Sequence, residues 1–407
     1  MRSARNIFTG LFLIFFVVAV GGGLFWANMK FVKRVPGGAD FIVPWKSMQN
    51  FMMGGVTPYG TLTSLNIQTI IYQHPSRPGQ YPYHVNIPLF MLLFFMPLAW
   101  IRNINIARAI WMICLEAGLF GVVLVSLRLT RWRPHWLLLI VILFFSAFWQ
   151  PSVSMLVTAT SIILQTLLIC GSLRCIELGS DELAGALAAL CLLNIEATGL
   201  VFLALLVWIF STQRWRILGG IGMMLAILIG LSIILLPSWV WPFIGATVSN
   251  WQSGAIPSTY NLFEGWLPGI GHRLAQILAV GALAILFLEW RAVRGQNVHW
   301  LFWTACLTAA ITPLLGIPYF PNWLVFTLPG IILVISIMVQ RWKLLGFGSS
   351  LIVLTVAFLG LWAAQLSGLI SVFILFYPLV LVLLLYWVRW GAIRQPRLWA
   401  DEIKLRG

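Results

Sequence analysis

Long apolar runs alternate with short polar breaks along the chain, and the two longest polar stretches, 29–84 and 237–272, each lie between such runs. A bilayer-crossing helix needs roughly 20 apolar residues, and in lipid the backbone must satisfy its own hydrogen bonds. Runs of Leu, Ile, Val and Phe therefore predict helices. By length they predict about twelve spans, near 6–28, 85–101, 106–127, 135–150, 153–173, 183–210, 216–236, 273–290, 299–316, 322–340, 345–363 and 368–389. The fourth is short and the sixth long. No alternating barrel strands are present. The expected fold is all-α: one integral membrane domain over 1–407, a polytopic bundle with interfacial helices in the 29–84 loop.

Composition supports that reading, because 61% hydrophobic and 9% charged residues leave too little polar surface for a soluble chain of 407 residues. Arg2 and Arg5 precede the first run without a small-residue cleavage site, which predicts an uncleaved anchor. The five cysteines, Cys114, Cys170, Cys175, Cys191 and Cys306, fall in or beside apolar runs without metal-ligand spacing. The net charge of +15 is scattered in ones to threes at helix ends, so it reads as membrane topology and not as a nucleic-acid surface.

Arg214 and Arg216, Arg291 and Arg294, Arg341 and Lys343, and the tail with Arg389, Arg394, Arg397, Lys404 and Arg406 mark a cytoplasmic side. Both termini then lie in the cytoplasm of a plasma-membrane protein, with the two long loops outside. Lys30, Lys33 and Arg34 fall on the external side beside Asp40, placed to meet an anionic head group or to snorkel to the interface. The side taken by Arg128, Arg131 and Arg133 depends on whether the short fourth run is a span.

The external stretch carries Gly38-Ala39-Asp40-Phe41, the Gly55 to Tyr59 turn, the run Ile71 to Gly79, Tyr81-Pro82-Tyr83, and Pro88 to Leu98 with Pro97. Further along come Ala107-Arg108-Ala109-x-Trp111 with Glu116, then Asp181 to Gly185, Asn261 to Gly269, Thr312-Pro313 and Asn322. In order and spacing these resemble glycosyltransferase family 87, integral membrane enzymes of the GT-C class similar to polyprenol-phosphate-mannose-dependent mannosyltransferases. The resemblance implies a GT-C-like bundle, a polyprenyl-phosphate sugar donor, and a lipid or glycan acceptor in the cell envelope. Where many relatives carry Asn-Gly-Asn or Gly-Gln in the fifth span, this chain has Thr158-Ala159-Thr160. Where they carry Lys-Pro-Gln in the sixth, it has Asn194-Ile195-Glu196, so the lysine is missing and the chain either meets the donor phosphate with another cation or has a weakened or altered activity.

Asp40, just past the first apolar helix, is placed to accept a proton from an acceptor hydroxyl as general base, and the acid after the first span has that role in GT-C enzymes. The alternative is a helix cap. A phosphate diester needs charge-assisted donors; the candidates are Arg77, Arg273, Lys33, Arg34 and His84, with Lys30, Lys46 and His272 beside them, and Arg77 and Arg273 the preferred pair. Tyr59, Tyr81, Tyr83, Asn261, Glu264, Trp266 and Asn322 are sugar-contact candidates, since pyranoses offer apolar faces to aromatic rings and hydroxyls to polar groups. Glu196 lies within an apolar run, where an ionisable side chain costs roughly 2.5 to 3.5 kcal/mol on insertion scales, so it is a functional candidate or a protonated partner of neighbouring helices. No phosphate-binding Gly loop, Ser-His-Asp arrangement or Asp-x-Asp pair is present, and no cofactor or metal is expected.

The expectation is an inverting hexosyltransferase of the cell envelope, mannose being what the resemblance implies. The alternatives are a transporter or flippase of lipid-linked intermediates, which suits an even span count, and an inactive relative kept as a partner subunit.

Overall fold

The computed structural model describes residues 2–252, 258–317 and 319–394. Pro318 and the tail residues Arg397, Lys404 and Arg406 lie outside these. Helices make up 82% of the structure and no strand occurs among the described residues, which establishes the all-α class. At the centre stands helix Val298–Ile311, every residue of which from His299 onward is buried. Asn297 caps it, its side chain accepting from the Trp300 amide at 3.0 Å. Helices Ile195–Thr212, Gly271–Ala292, Leu328–Leu366 and Ile370–Arg394 pack around it.

Seven helices among the described residues are long and apolar enough to cross a membrane, or eight if the bent pair Trp136–Phe148 and Gln150–Thr158 counts as one span, where hydropathy alone predicts about twelve. The difference has local causes. The expected span 85–101 is two four-residue helices, Leu89–Leu92 and Met96–Ala99, joined by a 3-10 turn, with Pro88 and Pro97 denying the backbone donors a continuous helix needs. The pair after His135 bends by 44° at Trp149, and the chain then turns at Ala159 (φ 58) before a 16-residue helix, Ile162–Glu177.

The long run 183–210 is also divided. Helix Asp181–Leu190 gives way to a 3-10 turn, Cys191–Asn194, before Ile195–Thr212, and Thr198 Oγ1 closes the break by donating to the carbonyls of Cys191 (2.8 Å) and Asn194 (2.9 Å). The first of these helices crosses Trp215–Leu235 backbone to backbone: a Cβ on Gly185 would strike the Ile217 carbonyl, and one on Gly220 the Glu182 carbonyl. Helix Leu328–Leu366 is not straight, because Lys343 leaves helical geometry (φ 44, ψ −112) and Gly346 comes back against the Met338 carbonyl. Eight residues of straight helix would separate those two by ~12 Å. Two antiparallel segments meet there.

At one end of the bundle Arg131 (3.2 Å), Arg174 (2.5 Å) and His299 (3.6 Å) gather around Glu177, Arg214 pairs with Asp181 (2.5 Å), and Arg389 with Glu289 (2.9 Å). Helix Ile104–Leu129 runs from this end to the opposite one, ~39 Å away, where its first turns meet the 35–40 segment. Arg131 thus shares a face with Arg174 and Arg214. The 29–84 stretch contains helices Ala39–Gly54 and Thr61–Tyr72, and the 237–272 stretch contains Val240–Gln252 and Thr259–Trp266.

Candidate functional site

Two residues of one helix fix the backbone around Asp40. Arg108 Nη1 donates to the Val35 carbonyl (3.2 Å) and Nη2 to the Val157 carbonyl (2.7 Å), while Trp111 Nε1, one turn on, donates to the Ala159 carbonyl (2.9 Å). Gly38 donates its own amide to Val157 at 2.8 Å. Gly38 sits at φ 83 against the Arg108 side chain, so a larger residue would be both strained and obstructed. From this turn starts the helix Ala39–Gly54, with Gly38 as its N-cap and Asp40 in its first turn.

The Asp40 side chain turns inward. Asn322 Nδ2 lies 3.2 Å from Asp40 Oδ2 and donates also to Thr158 Oγ1 at 2.7 Å. Thr158, Asn322 and Thr160 all hydrogen-bond to the carboxylate. Asn322 is buried, and its Oδ1 has no hydrogen-bond partner among the described residues, an orphaned acceptor next to the carboxylate. Four residues after Asp40, Pro44 lacks the amide that would close the helix onto the Asp40 carbonyl.

Asp40 lines a cavity of about 370 Å³. Tyr81, Tyr83, His84 and Asn86 form one wall; Asn194 and Glu196, at the break in the 183–210 run, form another; Trp239, Phe243, Phe320 and Trp323 make it largely aromatic. Tyr81 packs edge-on against Tyr83 (centroids 4.8 Å) and Phe320 (6.2 Å). Reciprocal bonds hold His84, whose amide donates to Asn250 Oδ1 (3.2 Å) and whose carbonyl accepts from Asn250 Nδ2 (2.8 Å); its Nδ1 is 3.1 Å from Ser64 Oγ.

Burial dominates the electrostatics. It pushes the Asp40 carboxyl from 3.8 up to about 6, against the opposing pull of the bonds from Thr158, Asn322 and Thr160. Burial also raises the Tyr81 phenol, helped by the negative charges of Glu196 and Asp40, and lowers the His84 imidazole. The site therefore holds the Asp40 carboxyl among uncharged hydrogen-bonding groups, with Glu196 as a second acid in the lining.

Of the residues singled out by sequence, Asp40, Tyr81, Tyr83, His84 and Glu196 line this cavity, and Asn322 abuts it through Asp40. Tyr59 stands one layer behind, its hydroxyl donating to the Ile87 carbonyl (2.8 Å) and its ring against Phe243. Lys33, Arg34, Arg77 and Arg273 are exposed and do not line it. Asn261, Glu264 and Trp266 are exposed on helix Thr259–Trp266, outside the cavity wall. Glu264 there accepts from the amides of Gly269 (2.9 Å) and His272 (3.0 Å), which hold its carboxyl below the usual range, and Trp266 stacks on Phe376. Sequence reading does not assign site roles to Thr158, Thr160, Arg108 and Trp111. Their only signal is the Ala107-Arg108-Ala109-x-Trp111 string and the Thr-Ala-Thr substitution.

The sequence pattern of glycosyltransferase family 87 matches residues 87–318, more than half of the 407. The chain belongs to glycosyltransferase family 87. Membership makes it a multi-pass membrane glycosyltransferase. Within the matched span lie Thr158, Thr160, Asn194 and Glu196; Asp40, Tyr81, Tyr83, His84 and Asn322 flank it. No curated protein and no solved structure matches the chain. The arrangement offers a carboxyl group, an aromatic-lined cavity and several uncharged hydrogen-bonding side chains. Among the described residues no group of three or more His, Cys, Asp or Glu is placed to hold a metal ion.

Proposed function

We propose that this family 87 glycosyltransferase moves a hexose such as mannose from a polyprenyl-phosphate donor to a lipid or glycan acceptor on the extracytoplasmic side, with inversion at the anomeric carbon. The observation that carries the reading is the Asp40 carboxyl, held by Asn322, Thr158 and Thr160 in the wall of the aromatic cavity. Asp40 takes the proton of an acceptor hydroxyl as that oxygen bonds to the anomeric carbon. The bond from that carbon to the phosphate oxygen breaks, and polyprenyl phosphate departs with the electron pair.

The sugar packs on Tyr81 and Trp323, and its hydroxyls meet Glu196, Asn194 and Asn86. Asn322 Oδ1, without a partner among the described residues, accepts from a second hydroxyl of the bound substrates. The departing phosphate meets Tyr83 and His84, so the work of the missing lysine falls to phenol and imidazole donors. Lys33, Arg34, Arg77 and Arg273 serve in this reading only to draw the anionic donor to the surface. Orientation follows from the basic end around Glu177, Asp181 and Glu289, which positive-inside places in the cytoplasm with Asp40 opposite.

The test is transfer of labelled mannose from polyprenyl-phosphate mannose to extracted envelope lipids by the purified protein in nanodiscs. Label in a lipid or glycan product supports the reading. Movement of the donor across a vesicle membrane with no product would replace it with transport, and product from a nucleotide sugar alone would replace the donor.

A further inference from the structure

Helix Ala39–Gly54 divides two hollows. Asp40, Val43 and Pro44 face the aromatic cavity, whereas Lys46, Gln49, Asn50 and Met53, spaced as one helical face, line a second and more open cavity of about 410 Å³. Asn66, from the next helix, and Arg102 complete its polar lining, and no residue lines both hollows. Every charged group in that lining is a cation. Lys46 is half-buried and, among the described residues, its ammonium donates only to Gln49 Oε1 at 2.8 Å. Among the described residues no carboxylate pairs with Lys46 or Arg102. Two cations and three side-chain amides around a hollow without an acid make an anion site.

Exposed apolar residues in the lining of the hollow, and close in sequence to it, indicate where its anion comes from. Met53 in its wall is 45% exposed, Leu62, one turn before Asn66, is 55% exposed, and Trp100, two residues before Arg102, is 68% exposed. In a membrane protein such a band beside cations matches a lipid, its phosphate at the cations and its chains along the apolar rim. A zwitterionic head group would bring its own ammonium towards Lys46 and Arg102.

We propose that Lys46 and Arg102 hold the phosphate of an anionic phospholipid in a site separate from the catalytic cavity. Lys46 lies six residues beyond Asp40, ~9 Å along the same helix. Occupancy therefore anchors the element that carries Asp40.

The experiment is native mass spectrometry of the full chain released from micelles with phosphatidylglycerol, phosphatidylcholine or inorganic phosphate. The wild type is expected to retain one phosphatidylglycerol in preference to phosphatidylcholine. At roughly 5-fold for each surface cation, the Lys46→Gln/Arg102→Gln variant should lose about 30-fold in affinity, and Lys46→Arg should bind as the wild type. Should the double variant not fold, the two single variants, each ~5-fold weaker, carry the test. Equal retention of the two lipids, or unchanged retention in the variants, would overturn the proposal. So would displacement of the lipid by millimolar inorganic phosphate, which would make the hollow a site for free anions.

Discussion

Removing the charge of Asp40 should make the protein more stable, and only where that charge exists. Burial raises the Asp40 carboxyl from 3.8 to about 6 even after the stabilising bonds from Thr158, Asn322 and Thr160. Each factor of ten in acidity is ~1.4 kcal/mol, so keeping an ionised carboxylate in this wall costs about 3 kcal/mol. Below pH ~4 the carboxyl is protonated in both folded and unfolded chains and the cost is absent. Between pH ~4 and ~6 the unfolded chain releases its proton first and the wild type loses stability; above that range the full cost applies. Asp40→Asn is neutral at every pH and presents a similar shape to Asn322 and Thr158. Its advantage over the wild type should therefore be near zero at pH 4 and grow to about 3 kcal/mol at pH 8. Melting followed by tryptophan fluorescence across that range, in one detergent, measures it. A difference that does not change with pH, or that favours the wild type at pH 8, would refute the reasoning.

Further expectations concern the same groups. Because a general base must be unprotonated, kcat/KM for sugar transfer should fall on the acid side with a midpoint near 6, following Asp40, as a pH–rate profile would show. Asn322→Ala removes a bond that favours the ionised carboxyl, so this midpoint should move to higher pH; an unmoved midpoint would detach Asn322 from Asp40. Arg108→Leu strips the donors from the Val35 and Val157 carbonyls and should destabilise by roughly 3 kcal/mol in denaturation while transfer is lost. Gly38→Ala, at φ 83 and against Arg108, should lose at least ~1 kcal/mol from backbone strain alone, with a matching fall in melting temperature.

Much of the membrane character is legible in the sequence, because apolar runs as long as a bilayer is thick are hard to bury in a water-soluble fold. The span count is less so. Hydropathy does not register the carbonyl approach at Gly185 and Gly220 or the capping of a break by Thr198, since each depends on a partner brought in by the fold, whereas the break at Lys343 falls between the expected spans 322–340 and 345–363. The resemblance to family 87 rests on short strings whose order matters more than any one of them, and the family match over 87–318 agrees with it.

At the candidate site, residues that draw attention by type come together from distant parts of the chain: a carboxylate at Asp40, tyrosines at Tyr81 and Tyr83, an ionisable group within an apolar run at Glu196. The groups that hold Asp40 do not announce themselves. Thr158 and Thr160 are common hydroxyls more than a hundred residues away, and nothing in the sequence around Arg108 shows its bonds to two carbonyls. Exposed arginines such as Arg77 and Arg273 mislead in the other direction, since sequence shows charge but not distance from the cavity. Asn194 and Glu196, at the break in the 183–210 run, form a polar wall of the cavity, and the charge of Glu196 bears on Tyr81.

The central claim is that Asp40 is the base of sugar transfer inside the aromatic cavity. Its most direct test is the single-turnover rate from polyprenyl-phosphate mannose, measured for wild type and Asp40→Asn beside donor affinity. The account predicts unchanged donor affinity and a rate at least ~100-fold lower in the variant. Transfer by Asp40→Asn at the wild-type rate would contradict it.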